Sequence, residues 1–252
     1  SINWLFIIIC VVALFVGCAP KAETDLLECD AATMTQFPYN ENGVIVAKHQ
    51  KITPVAEHPR MVKIETYYVN KGKPITVRAY EMCRTGVEAT DSVVWSLQPS
   101  STSGRLDWVL PVTEGFKKEN YLGMNNTDYG GGIPVVDLWQ KDGGVAIGLI
   151  EPVLRMISMP VEWKRYENKV SMALRYEFEW PVELNTGDTL HTFTAFRYEH
   201  KGDFFNALRA FSEVMQKDAG IELPASEPEA FEPVWCAWGY ERTFTINEVI
   251  GT

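Results

Sequence analysis

Hydrophobic and polar residues alternate with a period of two along much of the chain, most clearly over Lys169–Trp180. Val170, Met172, Leu174, Tyr176, Phe178 and Trp180 share one face, while Lys169, Ser171, Arg175, Glu177 and Glu179 share the other. Successive side chains of a strand point to opposite sides, so the pattern predicts a half-buried antiparallel strand. Val62, Ile64, Thr66 and Tyr68 alternate in the same way with Lys63, Glu65 and Tyr67. Asn70-Lys71-Gly72-Lys73-Pro74 reads as a turn, with Ile75–Met82 as the returning strand of a hairpin. Further strands are expected over 43–48, 92–97, 105–110, 133–139, 144–150, 153–163 and 189–198. About ten strands without a helical pattern between them predict a mainly β fold, a sandwich of two antiparallel sheets over 43–201.

The period changes at Gly202. Asp203 is placed to cap a helix of about 203–217, because Phe204, Leu208, Phe211 and Met215 then recur at helical spacing. Gly220 ends that helix, and Glu222–Pro233 (ELPASEPEAFEP) is an acidic, proline-rich linker, so 202–233 marks a domain boundary. Beyond it, Val234-Trp235-Cys236-Ala237-Trp238 reads as a buried strand and Gly239–Arg242 as a loop. Thr245 and Glu248 have the spacing of a capping box that opens a new helix. Strand, loop and capped helix over 234–252 make the first β/α unit of a barrel. One such unit cannot bury its own faces, so the rest of that domain is expected beyond Thr252.

At the other end, Trp4–Val16 is an unbroken apolar run of 13 residues. That is too short to cross roughly 30 Å of hydrocarbon as a helix, and it suits the apolar region of a secretion signal over 1–17. Val16-Gly17-Cys18-Ala19 resembles the lipobox of bacterial lipoproteins, which implies cleavage before Cys18 and acylation of its sulfur. A plain secretory signal with an incidental cysteine is the alternative. The chain opens on Ser1 rather than Met, in keeping with a missing start. Residues 18–42 are polar and read as a tether. The expected location is the bacterial cell envelope, at the outer membrane or in the periplasm, with the membrane reached through the Cys18 lipid.

Composition narrows the chemistry further. A net charge of −10 repels phosphate backbones and excludes nucleic acid as a partner. Cys29, Cys83 and Cys236 remain after the signal and the anchor, without a CxxC or other metal spacing, so no metal site is expected on them. Eight Trp, ten Tyr and twelve Phe suit a β-rich core or a surface that stacks on sugars. His49, His58, His191 and His200 show no partner pattern and read as surface or strand residues, and Asp137, Asp142 and Asp188 as turn or strand-edge residues.

Two segments, Tyr121–Trp139 (YLGMNNTDYGGGIPVVDLW) and Val234–Arg242 (VWCAWGYER), resemble the α-galactosidase (melibiase) group of glycoside hydrolases, of clan D type. The resemblance implies an N-terminal β-supersandwich and a short helix ahead of a (β/α)8 barrel, here cut at its first strand. It also implies a retaining mechanism in which two Asp residues, nucleophile and acid/base, stand about 5–5.5 Å apart. The family carries them on later barrel strands, so no catalytic residue is nominated, and no cofactor is expected. The fragment alone is expected to be inactive, carbohydrate is the expected partner, and homo-oligomerisation stays open.

Candidate substrate-binding residues fall in those same two segments. Asp128-Tyr129-Gly130-Gly131-Gly132 is unusually glycine-rich, which suits φ > 0 or close backbone approach. It reads either as a loop lining a sugar pocket or as a tight strand connection. Trp238, Tyr240 and Glu241 end the first barrel strand, where such barrels place their sites. Trp238 or Tyr240 would stack on a sugar and Glu241 would accept a hydroxyl hydrogen bond, while Trp235 is read as core. A lipid-anchored, non-catalytic carbohydrate-binding or adhesion module is the competing reading.

Overall fold

The structure, a computed structural model, describes residues 26–29, 32–36, 46–90, 92–99, 108–122, 132–153, 155–163, 166–222, 224–232 and 247. Residues 1–219 form one unit and 220–252 another. The first unit is mainly β. Its strands begin with β1 (Leu26–Cys29), β2 (Ala32–Gln36), β3 (Val46–Val55), β4 (His58–Asn70) and β5 (Ile75–Glu88). They continue with β6 (Val94–Leu97), β7 (Val109–Val112), β8 (Lys117–Lys118), β9 (Tyr121–Leu122), β10 (Val135–Gln140) and β11 (Gly143–Leu149). The last are β12 (Ile157–Ser158), β13 (Val161–Trp163), β14 (Lys169–Leu184), β15 (Thr189–His191) and β16 (Ala195–His200), followed by helix α1 (Phe204–Ala219).

Every pairing among these strands is antiparallel. Sheet I runs β2-β1-β5-β14-β12-β9, with β13 joining β14 to β8. Sheet II runs β15-β4-β16-β11-β10-β6-β7, with β3 added along β4. β1 and β2 thus add two strands within 18–42. The main core lies between the sheets, where Val77, Met82, Met172 and Leu174 of sheet I meet Leu138, Ile147 and Tyr68 of sheet II. Burying such side chains contributes about 1.5–3 kcal/mol each, which makes this layer the dominant stabilising term.

A second core covers the outer face of sheet II, where Phe196, Val135, Ala146 and Met61 pack beneath Ala207, Ala210 and Val214 of α1. The apolar stripe read from the sequence flanks this line: Leu208, Phe211 and Met215 are half-buried at its sides, and the small alanines take the centre. Gly144, Ala146 and Gly148 are the β11 residues on that face, which leaves room for the helix. Asp203 caps α1 as expected, its Oδ1 accepting the Phe205 N–H at 3.1 Å. Gly220 follows the helix at φ +63°, a value that favours glycine.

Several strand expectations need correction. β4 and β5 do not form a hairpin: they lie in different sheets, and 70–74 is a corner between them. Asn70 builds that corner. Its Nδ2 donates to Lys73 O at 2.9 Å and Leu184 O at 2.8 Å, and its Oδ1 accepts the Gly72 N–H at 2.9 Å. The hairpin partner of β4 is β3, reached through Ala56 and Glu57. The single strand expected over 153–163 is two short ones, because Pro160 has no N–H to extend the ladder. On β14, Val170, Met172 and Leu174 are buried as read, but Trp180 is 77% exposed. The register with β5 breaks between Glu177 and Val182, and this bulge turns Trp180 out to water. In the second unit, the described chain carries a short 3-10 turn at Pro228–Phe231 with no buried residue.

Candidate functional site

Asp128, Tyr129, Gly130 and Gly131 lie outside the described residues, as do Cys18, Trp238, Tyr240 and Glu241. What the structure does fix is the frame from which the 123–131 segment departs. Its first flank, Leu122, belongs to β9 of sheet I, and its second, Gly132–Pro134, leads into β10 of sheet II. Gly132 has φ +94°, the left-handed backbone that the glycine run suggested. The Ile133 N–H donates to Pro99 O at 3.3 Å, and the Leu149 N–H to Pro134 O at 2.9 Å. The two described flanks thus belong to different sheets, the second where β10 begins.

That end of the sandwich is rich in rings. The Ile150 N–H donates to Thr194 O at 2.9 Å, and Glu151 Oε1 accepts the Thr194 N–H at 2.7 Å, which ties 150–156 to 192–195. Phe193, held there, meets Tyr176 at 5.0 Å and Tyr80 at 6.4 Å, and Tyr176 meets Phe178 at 5.2 Å. The Arg155 guanidinium lies 4.7 Å over the Phe193 ring, a cation–π contact. Burial pushes the Tyr80 phenol far above its usual range, so Tyr80 stays neutral and serves as packing. This arrangement offers aromatic faces and one cation but no placed pair of carboxyl groups.

The buried carboxylates among the described residues lie elsewhere, and neither was recognised as buried from the sequence. Asp137 is fully buried in β10 rather than at a turn or strand edge, and its partner is His200, which of the two readings, surface or strand, is the strand residue that ends β16. His200 Nε2 lies 2.9 Å from Asp137 Oδ1 and donates to it, while Nδ1 faces the Lys201 carbonyl at 3.4 Å. Burial favours a neutral imidazole, but the Asp137 hydrogen bond and charge outweigh it and raise His200 above its usual range. Burial likewise pushes the Asp137 carboxyl up, and His200 only partly restores it. The signal was present in IPVVDLW, an apolar run on both faces of a strand, where an acid must be buried and in need of a donor. Glu81, on β5, is also buried and is held bidentately by Arg84 at 3.0 and 2.5 Å. Asp137 is engaged by the His200 ring and Glu81 by the Arg84 guanidinium, which suits structure rather than proton transfer.

Two clefts open beside the first half of α1. One, of about 490 Å³, is bordered by Trp95, Trp139, Gln140, Lys141 and Asp203. The other, of about 310 Å³, is bordered by His58, Arg60, Tyr198, Lys201, Arg209 and Glu213. In the latter, His58 Nε2 lies 3.1 Å from Glu213. Among the described residues no cluster of three His, Cys, Asp or Glu side chains could hold a metal ion.

No family model matches the chain. In sequence it is similar to an A type blood α-D-galactosamine galactosaminidase of Flavonifractor plautii, with 24% identity over 216 residues. That match covers 76% of this chain and 19% of the galactosaminidase, so the chain spans about a fifth of its relative's length. Among solved structures, the galactosidase domain of an α-galactosidase-sucrose kinase, AgaSK, aligns with a TM-score of 0.45 at 16% identity, over 67% of this chain and 24% of that one. A variant of the GH36 α-galactosidase AgaA of Geobacillus stearothermophilus, in complex with raffinose, aligns with a TM-score of 0.45 at 11% identity, over 73% and 31%.

Proposed function

We propose that this chain is the N-terminal part of an exported glycoside hydrolase, a retaining α-galactosidase-like enzyme that acts on oligo- or polysaccharide. The observation that carries this reading is the 24% identity with the galactosaminidase over 76% of the chain. The two-sheet sandwich followed by a helix agrees with it, because that is the element order the melibiase resemblance leads one to expect. On this reading the two carboxyl groups of the reaction belong to barrel strands encoded downstream, and the sandwich contributes its 123–131 loop to the sugar site. Asp128 would offer a carboxylate to sugar hydroxyls and Tyr129 a ring face, and Trp238, Tyr240 and Glu241 are the sugar-binding candidates at the end of the first barrel strand. The signal and Cys18 would deliver the enzyme to the cell envelope and hold it there by lipid.

The test is expression of the complete reading frame and assay against aryl α-galactosides and α-galactosaminides, with the product anomer followed by NMR. Hydrolysis with retention supports the proposal, and absence of hydrolysis of any glycoside by a folded protein removes it. Incorporation of labelled palmitate that disappears in Cys18→Ala tests the anchor separately.

A further inference from the structure

Trp95 and Trp139 are cross-strand partners between β6 and β10 and border the same cleft on the outer side of sheet II. Trp139 packs against Phe204 at 5.4 Å, and Phe204 stacks on Phe205 at 4.2 Å, so the rings continue from the sheet onto α1. Much of this surface faces water: Trp95 is 39% exposed, Val93 55% and Phe205 63%. Aromatic surface left in water costs on the order of 25 cal/mol per Å² that burial would recover, so a patch of this kind marks a binding surface.

The polar border of the cleft is equally specific. Gln140 is fixed by Nε2 donating to Glu88 O at 3.0 Å and Thr90 Oγ1 at 3.3 Å. Lys141 and Asp203 supply one charge of each sign and cancel, which favours a neutral ligand over an ion. The volume, about 490 Å³, falls within the range of small-molecule sites, ~300–1,000 Å³. A pyranose suits such a surface: its C–H face stacks on an indole while its hydroxyls bond to fixed donors and acceptors at the border.

We propose that the Trp95–Trp139 cleft binds a short neutral oligosaccharide, with Trp95 as the stacking platform and Gln140, Lys141 and Asp203 as hydroxyl partners. The proposal deepens the carbohydrate reading above and rests on it. It places a sugar-binding surface at the end of β10 opposite the 123–131 loop.

The experiment is an NMR titration of the 15N-labelled 252-residue chain with stachyose, following the indole N–H of Trp95 and, in the variants that lack it, that of Trp139 in the same cleft. A saturable shift with a dissociation constant on the order of 1–10 mM is expected. Trp95→Ala should weaken binding about tenfold or more, while Trp95→Phe, which keeps a ring, should retain most of it; dispersed spectra of both variants check their fold. Absence of a saturable shift at Trp95, or equal binding by Trp95→Ala, overturns the proposal. Tighter binding of a sulfated tetrasaccharide than of stachyose overturns the neutral-ligand assignment. The outcome is read apart from hydrolysis by the complete reading frame. Binding without hydrolysis keeps this site and removes the catalytic reading, and hydrolysis without binding removes this site alone.

Discussion

Replacing His200 by Leu should cost far more than the loss of one hydrogen bond. The substitution leaves Asp137 fully buried with its one side-chain donor removed, and Oδ2 already lacks a hydrogen-bond partner. Removing one member of a buried charge pair costs about 3–5 kcal/mol, which in a unit of this size lowers Tm by roughly 6–20 °C. The loss should shrink in acid, because a protonated Asp137 is neutral, and burial already raises its carboxyl above the 3.8 of an exposed one. The double variant Asp137→Leu/His200→Leu, which removes both charges, should recover most of the stability. In the native protein both groups bind protons more tightly than in the unfolded chain, so stability falls as the pH rises. The His200 part is present in full below 6.5 and is lost as the pH climbs through its raised native value. Thermal and urea unfolding at pH 5, 7 and 9 measure all of this. A His200→Leu loss under about 1 kcal/mol, or a double variant as unstable as the single, would refute the buried-pair argument.

Gly148→Ala should destabilise by about 1–3 kcal/mol in urea unfolding, since a Cβ there meets the Pro134 carbonyl oxygen and lies 2.6 Å from the Phe196 ring. Asp203→Ala removes the cap of α1 and should cost about 1 kcal/mol, with the helix signal in circular dichroism melting first. Trp180→Ala should change stability by less than about 0.5 kcal/mol because the ring is 77% exposed, whereas Phe196→Ala should cost about 3–5 kcal/mol; Tm values rank them.

Strands with one wet face were legible in the sequence. The Val170–Met172–Leu174 alternation reads directly because the other side of β14 is at least partly solvated there, and the helix announced itself through Asp203 and Gly220. Connectivity was not legible, since Asn-Lys-Gly-Lys-Pro serves a hairpin and a corner equally well. The buried Asn70 amide, bonding across 114 residues to Leu184, decides for the corner. Asp137 escaped notice because β10 is covered on both faces, by the main core and by α1, so no alternation flags its environment. The tryptophan cleft escaped for a related reason. Trp95 and Trp139 are 44 residues apart in sequence and become neighbours only through the β6–β10 pairing. Of the glycine-rich loop, the sequence reading reaches the structure only at Gly132, whose left-handed backbone agrees with it.

Sheet II exposes a long outer strand, β3, whose residues from His49 to Pro54 are open to water. A free row of strand amides is a template on which further chains can add and polymerise. β3 carries Lys48, Lys51 and Pro54, and the opposite border strand, β7, carries Pro111. Each proline deletes a donor that an incoming strand would need, and the lysines bring like charges together if two copies approach edge to edge. The lysines and prolines of these outer strands thus guard the sandwich against growing into a fibre.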